Sequence, residues 1–165
     1  MDSQGGHMHG AVPETLISRG VSDPPRVRDI MQRKIVQISA DERLSTVDDI
    51  MTLGGVRHIP VVRGGELVGV VSERDLLRAS LSSLSDFASD HRRAFLQGVE
   101  IRRVMSSPAV TVGPDTPVEE AARLLAERKI GCLPVLDGDR RLVGLITETD
   151  VLRCFATRLG SSVSL

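Results

Sequence analysis

Aromatic side chains are almost absent from this chain of 165 residues. It has no Trp, no Tyr and only three Phe, which are Phe87, Phe95 and Phe155. Proteins that hold single-stranded nucleic acid commonly stack the bases on aromatic rings, and this sequence cannot build such a platform. Any hydrophobic core must therefore be assembled from Val, Leu, Ile and Ala.

The sequence also lacks a charge excess and a long apolar run. The formal net charge is −1, which argues against a broad electrostatic surface for nucleic acid or for an anionic membrane. No stretch of about 18 apolar residues occurs, so we expect no transmembrane helix. Because the amino terminus does not resemble a secretory signal, Cys132 and Cys154 are expected to be reduced thiols in a cytoplasmic protein.

An internal repeat runs through the chain. Residues 27–31 (VRDIM) align with residues 101–105 (IRRVM) at an offset of 74, and the offset becomes 75 at Leu67 and Leu142. The single inserted residue falls in a turn rich in Gly and Asp, where an insertion disturbs a fold least. The chain is therefore predicted to contain two copies of one structural unit.

Each copy is predicted to be a βαββα unit. In the second copy, Thr116 is expected to cap a helix that has Pro117 at its first position and Glu119 completing a capping box. In the first copy, Gly54-Gly55 is expected to end the corresponding helix. Apolar, β-branched runs bounded by turn residues predict three strands a copy: residues 35–38, 58–62 and 67–71, and residues 109–112, 132–136 and 142–146.

One unit of about 50 residues can hardly bury enough surface to fold alone, whereas two units packed sheet to sheet can. We therefore predict a single pseudo-twofold module of the α/β (α+β) class. The expected organisation is an amino-terminal tail (1–24), motif 1 (25–80), a mostly helical connector (81–100), motif 2 (101–158) and a carboxy-terminal tail (159–165).

Two short patterns recur at matching positions and carry a family resemblance. The first is an apolar-Pro-Val segment, which contains Pro60 in one copy and Pro134 in the other. The second is Gly-x-x-Ser/Thr-x-x-Asp, at residues 69–75 and 144–150. Together they resemble the CBS domain, named after cystathionine β-synthase, in its usual tandem arrangement, the Bateman module. The resemblance covers about residues 26–155.

The resemblance implies a regulatory function without catalysis. CBS pairs usually bind adenosine-containing ligands, so AMP, ADP, ATP and S-adenosylmethionine are all expected candidates, and no other cofactor or metal is expected. The pairs commonly form disc-like homodimers and regulate an attached domain or a partner protein. Because we expect no further domain here, the output is predicted to pass to a separate, unidentified protein.

The resemblance also implies two composite clefts, in which the Ser/Thr and Asp of one motif face the other motif. The first cleft would comprise Ser72, Arg74 and Asp75 with Ala109, Val110, Gly131, Leu133 and Pro134. The second would comprise Thr147, Thr149 and Asp150 with Ile35, Val36, Arg57, His58, Ile59 and Pro60.

The residues themselves suit a nucleotide. Ser72 and Thr147 each stand where a strand turns into a helix, whose free amides favour an anion, while Asp75 and Asp150 are acceptors for ribose hydroxyls. Arg57 and His58 resemble residues that some family members use on phosphate, and their counterparts are Gly131 and Cys132. The Asp150 cleft is therefore predicted to be the better phosphate site, although Arg74 gives the Asp75 cleft some claim.

Other interpretations stay open at this point. Ser-x-x-Asp and Thr-x-x-Asp at helix starts are also ordinary caps, and a CBS pair with vestigial sites would act as a nucleotide-independent dimerisation or interaction module. An enzyme is not expected, since the sequence shows no nucleophile–base pair and no metal-ligand spacing. DNA binding would require a reading helix and a basic face, and neither is evident.

Overall fold

A computed structural model of the chain describes residues 23–81 and 89–161. The predicted amino-terminal tail lies almost entirely outside these residues, as do the end of the predicted carboxy-terminal tail and part of the connector. Within the described ranges, no helix is long and apolar enough to cross a membrane.

The two-copy mixed α+β fold is confirmed. The first copy consists of α1 (Val27–Ile30), β1 (Ile38–Ser39), α2 (Leu44–Gly54), β2 (His58–Arg63), β3 (Glu66–Ser72) and α3 (Glu73–Leu81). The helix α4 (Ser89–Gly98) follows. A short 3-10 helix (Ile101–Arg103) then leads into α5 (Val118–Arg128), β4 (Cys132–Leu136), β5 (Leu142–Thr147) and α6 (Glu148–Ser161). Both predicted hairpins form, and a helix follows Ser72 and Thr147 directly, as expected.

The two sheets are unequal, because the predicted first strands were wrong in extent. In the first copy only Ile38 and Ser39 form a strand, which pairs parallel with Val61 and Val62 of β2. In the second copy residues 109–112 form no strand, and only Val112 makes a bridge to β4. The first copy therefore has a three-stranded sheet and the second a two-stranded one.

The predicted cap of α5 was also wrong. The helix begins at Val118, and Pro117 is its N-cap, without a side-chain hydrogen bond. The Thr116 hydroxyl instead accepts a hydrogen bond from the backbone N–H of Gly113 at 3.1 Å. The Val118 N–H donates to the carbonyl of Pro25 at 2.9 Å. Backbone from the other copy thus satisfies a donor that a side-chain cap would otherwise serve.

The two copies exchange their leading segments. Val27 and Met31 lie in the hydrophobic core of the second copy, whereas Ile101 lies in the core of the first. Gln32 and Leu145 exchange two backbone hydrogen bonds of 2.9 Å each, which adds the segment after α1 to the second sheet. Residues 101–106 return the exchange, so each half of the module is completed by the other.

The connector helix α4 is fastened to the first copy. Leu96 is fully buried in the first core, and the guanidinium groups of Arg92 and Arg93 each make two hydrogen bonds to a carboxylate of α2, on Asp48 and Asp49 respectively. These arginines thus help to hold the connector in place.

Candidate ligand-binding site

A cavity of about 730 Å³ lies between the two copies. The first copy contributes the start of α3 and the adjacent ends of β2 and β3. The second copy contributes the segment before α5, the residues that follow that helix, the start of β4 and the first residue of α6. The lining residues are Arg57, His58, Val70, Ser72, Glu73, Arg74, Asp75, Leu77, Arg78, Ser106, Pro108, Ala109, Val110, Lys129, Ile130, Gly131, Cys132 and Glu148.

Asp75 closes a capping box at the start of α3 and keeps one oxygen free. Its Oδ2 accepts hydrogen bonds from the backbone N–H of Ser72 at 2.9 Å and from the Ser72 hydroxyl at 2.6 Å. The hydroxyl in turn accepts from the Asp75 N–H at 3.3 Å. The capping interpretation is therefore confirmed, but Oδ1 has no hydrogen-bond partner among the described residues, so the carboxylate can still accept.

Asp150 has the same capping box and an additional partner. Thr147 donates to its Oδ2 from the backbone at 2.9 Å and from the hydroxyl at 2.6 Å. The side-chain amide of Gln32 then donates to Oδ1 at 3.3 Å and to Oδ2 at 3.2 Å. Both carboxylate oxygens are thus engaged, and Asp150 is only 8% exposed.

The difference between the two carboxylates comes from one pair of equivalent residues. Gln32 corresponds to Ser106 at the offset of 74. Each is held against the opposite sheet by two backbone hydrogen bonds, Gln32 to Leu145 and Ser106 to Val70. The amide of Gln32 reaches the Asp150 carboxylate, whereas Ser106 makes no hydrogen bond to Asp75 and lines the cavity.

The cavity is lined by four cationic side chains, Arg57, Arg74, Arg78 and Lys129, and by three carboxylates, Glu73, Asp75 and Glu148. Arg57, Arg74 and Lys129 line it, and none of them forms an ion pair with the described residues. Elsewhere among the described residues, some arginines, such as Arg128 and Arg140, also form no ion pair, whereas seven are paired with carboxylates: Arg28, Arg43, Arg63, Arg92, Arg93, Arg102 and Arg123. Charges that stay unpaired around a concave site favour an anionic group there.

His58 lies on the contact between the two copies. A Cβ added to Gly131 would be 2.4 Å from its Nε2 atom, so the imidazole occupies the space that a side chain at position 131 would need. Burial lowers the pKa of His58 below its ordinary value of 6.5, and the charges of Glu148 and Asp75 oppose this shift. Gly131 is thus explained by close packing.

Cys132, the counterpart of His58, is a buried thiol in the same cavity wall. Burial, with a smaller effect from the Glu148 charge, raises its pKa to about 12. It is accordingly protonated at neutral pH, and it packs as a small buried residue. Among the described residues, no group of three His, Cys, Asp or Glu side chains could hold a metal ion.

The structure regroups the residues expected at the two clefts. Arg57 and His58, expected beside Asp150, line the cavity of Asp75 instead, together with the expected Ser72, Arg74, Ala109, Val110 and Gly131. Not among its lining residues are Ile35, Val36, Ile59, Pro60, Leu133, Pro134, Thr147, Thr149 and Asp150. Ile59 and Leu133 are fully buried in the two cores, because alternate residues of a half-buried strand face inward.

Sequence reasoning missed Gln32, Ser106 and Lys129. The alignment of the two copies held the necessary signal, since it sets Gln32 against Ser106 and Lys129 against Gly55. What it lacked was the exchange of leading segments, which brings Gln32 to Asp150.

The chain thus consists of two copies of one mixed α+β unit with a cavity between them. The last helix of each copy begins with a capped carboxylate. These features define a paired-motif module of the kind that holds small ligands between its halves. The model of the CBS domain matches residues 27–82 and 101–157. The chain therefore belongs to the CBS domain family and carries the domain as a tandem pair.

Three comparisons describe its relatives. Protein MJ1225 of Methanocaldococcus jannaschii is 31% identical over 134 residues, which is 79% of this chain and 47% of that protein. The crystal structure of CBSX2 in complex with AMP has a TM-score of 0.67 and 28% identity, over 81% of this chain and 97% of that one. A CBS domain pair of protein MJ0100, in complex with 5′-methylthioadenosine and S-adenosyl-L-methionine, has a TM-score of 0.66 and 26% identity, over 79% and 99%.

The chain is shorter than many of the curated proteins it matches. It spans about half the length of MJ1225 and about a quarter of several enzymes that contain a similar segment.

Proposed function

We propose that this CBS pair is a regulatory sensor that binds an adenosine-containing ligand in the cavity at Asp75. AMP, ADP, ATP and S-adenosylmethionine are the candidate ligands, and ligand occupancy would be signalled to a partner protein. The observation that carries the proposal is the free Oδ1 of Asp75 beside a cavity of about 730 Å³, a volume within the range of small-molecule sites.

The chemistry of the cavity suits each part of such a ligand. A carboxylate accepts hydrogen bonds from the two hydroxyls of a ribose. The aliphatic side chains of Val70, Val110 and Ile130 offer apolar walls for a purine in a protein that has few aromatic rings. Arg57 and Arg74 supply positive charge for a phosphate. AMP in CBSX2 and the two adenosine compounds in MJ0100 support the same ligand class.

Thermal unfolding with a panel of adenosine compounds tests this proposal. A ligand that binds only the folded state raises the melting temperature by mass action, by an amount that grows with its concentration. Asp75→Asn should remove the shift, because the single amide oxygen is needed to accept from Ser72 at the cap, which leaves an NH2 group, a donor only, in the place of the free Oδ1. Asp150→Asn is the matched control and should leave the shift in place. If no adenosine compound at millimolar concentration shifts the wild-type protein, the proposal fails.

A second candidate function is a dimerisation module that does not depend on nucleotide. It is favoured by the equivalent Leu77 on α3 and Leu152 on α6, which are 54% and 68% exposed. Apolar side chains so exposed at matching sites suit a self-complementary interface in a homodimer. Sedimentation of the wild type and of Leu152→Glu, with and without AMP, separates the two functions. Because a ligand-binding CBS pair is commonly a dimer as well, the second function is favoured only by a dimer that the substitution dissociates and whose melting temperature AMP does not raise.

A further inference from the structure

The residue that follows the helix α5 has a backbone conformation that is unfavourable for any residue with a Cβ atom. Lys129 follows the helix with φ 54° and ψ 42°, in the left-handed region. The equivalent residue after α2 is Gly55, with φ 61° and ψ 25°. Left-handed backbone crowds a Cβ atom, so glycine is the usual residue at this position of a helix end. The second copy thus carries a lysine where the local backbone favours glycine.

Packing does not account for this lysine. Lys129 is an exposed residue, and its ammonium makes no hydrogen bond or ion pair with the described residues. Its distinguishing feature is its place, since it lines the Asp75 cavity from the second copy while Arg74 lines it from the first. Conformations that a residue adopts at a cost persist preferentially at functional sites.

We propose that Lys129 is a ligand-contact residue whose ammonium binds the phosphate of a phosphorylated adenosine ligand in the Asp75 cavity. This inference rests on the proposed function and narrows its ligand class to AMP, ADP or ATP, over S-adenosylmethionine and free adenosine. The ammonium joins Arg57 and Arg74, whose unpaired charges face the same cavity. Three cations contributed by both halves would let a phosphate bridge the two copies.

The chain provides a matched control for the backbone effect. Arg140 is the other non-glycine residue with a positive φ among the described residues, at 62°. It is a cation, it is exposed, and it lies in the turn between β4 and β5, outside the cavity lining. Replacing Arg140 with glycine therefore relieves the same kind of strain and removes the same charge without touching the proposed site.

The experiment compares stability and affinity in the chain of 165 residues. Lys129→Gly and Arg140→Gly should each raise the melting temperature by about 2 °C, because glycine adopts the left-handed conformation freely. Titration calorimetry should show that Lys129→Gly weakens the binding of AMP and ATP at least about tenfold, as expected for one lost charge-assisted contact. Adenosine binding should not change. Arg140→Gly should bind all three compounds as the wild type does, and Lys129→Arg should recover most of the affinity for AMP.

The results that differ from these expectations separate the role of Lys129 from the ligand-binding function. If the wild type binds adenosine as tightly as AMP, or if Lys129→Gly keeps the full affinity for AMP, then the role of Lys129 is refuted while the ligand-binding function stands. If no adenosine compound binds, the proposed function is refuted and inorganic tripolyphosphate becomes the deciding probe. Binding of tripolyphosphate that Lys129→Gly weakens and Arg140→Gly does not would uphold the phosphate contact, and its absence would overturn it.

Discussion

The two clefts of this module are built from the same sequence pattern and differ in one neighbour. Both carboxylates cap a helix through identical distances, 2.9 Å from a backbone N–H and 2.6 Å from a hydroxyl. Asp150 then receives the Gln32 amide on both oxygens, while Asp75 keeps Oδ1 free beside the cavity. Two equivalent motifs therefore differ in what they can still bind, because the amide of Gln32 already takes the lone pairs that a ligand hydroxyl would use.

The similarity of the two copies in sequence does not make their two ligand clefts alike. A motif supplies the carboxylate, but the segment that lies beside it comes from the other copy. Ser106 and Gln32 sit in segments that the two halves exchange, so a difference at the start of one copy changes the cleft of the other.

The largest expected effect concerns the glycines over which these segments cross. A Cβ at Gly69 would lie 2.7 Å from the backbone oxygen of Ser106, whereas a Cβ at the equivalent Gly144 would meet the flexible Met31 side chain, with Sδ at 2.5 Å. Gly69→Ala should therefore lower the free energy of unfolding by about 2–3 kcal/mol, as overpacking against backbone does. Gly144→Ala should cost about half as much, and urea denaturation measures both. Equal costs would contradict the proposed difference between the two crossings.

Ser106→Gln should give Asp75 the same side-chain partner that Gln32 provides for Asp150. The longer amide would reach Asp75 as Gln32 reaches Asp150, and a ligand would then have to displace it. We expect the Kd for AMP to rise at least about tenfold, or about 1.4 kcal/mol, which is the worth of a hydrogen bond to a charged group. Calorimetric titration gives the value.

A matched substitution outside the cleft controls for the added amide. Ser107 is the adjacent exposed residue, and its hydroxyl donates to the carbonyl of Val68 at 2.8 Å. It is not among the cavity-lining residues. Ser107→Gln should therefore leave AMP affinity near the wild-type value. An unchanged Kd in Ser106→Gln would show that the length of this side chain does not decide access to Asp75.

Gln32→Ser is the reciprocal change and should free the Asp150 carboxylate. Because Gln32 is an exposed residue, the loss of its hydrogen bonds should lower the free energy of unfolding by only about 0.5–1 kcal/mol. A double-mutant cycle with Asp150→Asn should show coupling of that size. The same cycle between Gln97, an exposed residue of α4, and Asp150 should show none, and coupling below about 0.3 kcal/mol for Gln32 would refute the contact.

Much of this fold follows from the sequence, since the repeat, both hairpins and the helix end at Gly54-Gly55 were correctly predicted. The predicted strands at 35–38 and 109–112 failed because an apolar run indicates burial and does not specify a pairing partner. The Thr116 cap failed because the donor at Val118 finds the carbonyl of Pro25, a contact between residues far apart in the chain.

The candidate site was predictable in its parts and not in its grouping. Ser72 and Asp75 form the expected pair at a helix start, and this local geometry is set by neighbouring residues. The assignment of Arg57 and His58 to Asp150 depended on how the halves meet. His58 packs against Gly131 of the second copy and pairs with Ser72 of the first copy across β2 and β3. The residue therefore contacts both copies, whereas an alignment of the two motifs assigns it to one cleft only.

The smallest expected effect separates His58 from its counterpart Cys132 by pH. Burial lowers the folded-state pKa of His58 below 6.5, so the unfolded chain takes up a proton more readily than the folded one. The free energy of unfolding should therefore fall as pH drops through 6.5 toward the lowered pKa, while above 6.5 both states are neutral and no dependence arises. Partial exposure screens the effect, so we expect less than about 1 kcal/mol. Cys132, with a pKa of about 12, contributes nothing in this range.

Urea denaturation between pH 5 and 8 should give a flatter profile of unfolding free energy for His58→Gln than for the wild type. A profile that is equally steep in both proteins would assign the pH dependence to other groups. Because Glu148 and Asp75 oppose the lowered pKa, His58→Gln in an Asp75→Asn background should remove a larger dependence, which would identify the cavity carboxylate as the partner of this imidazole.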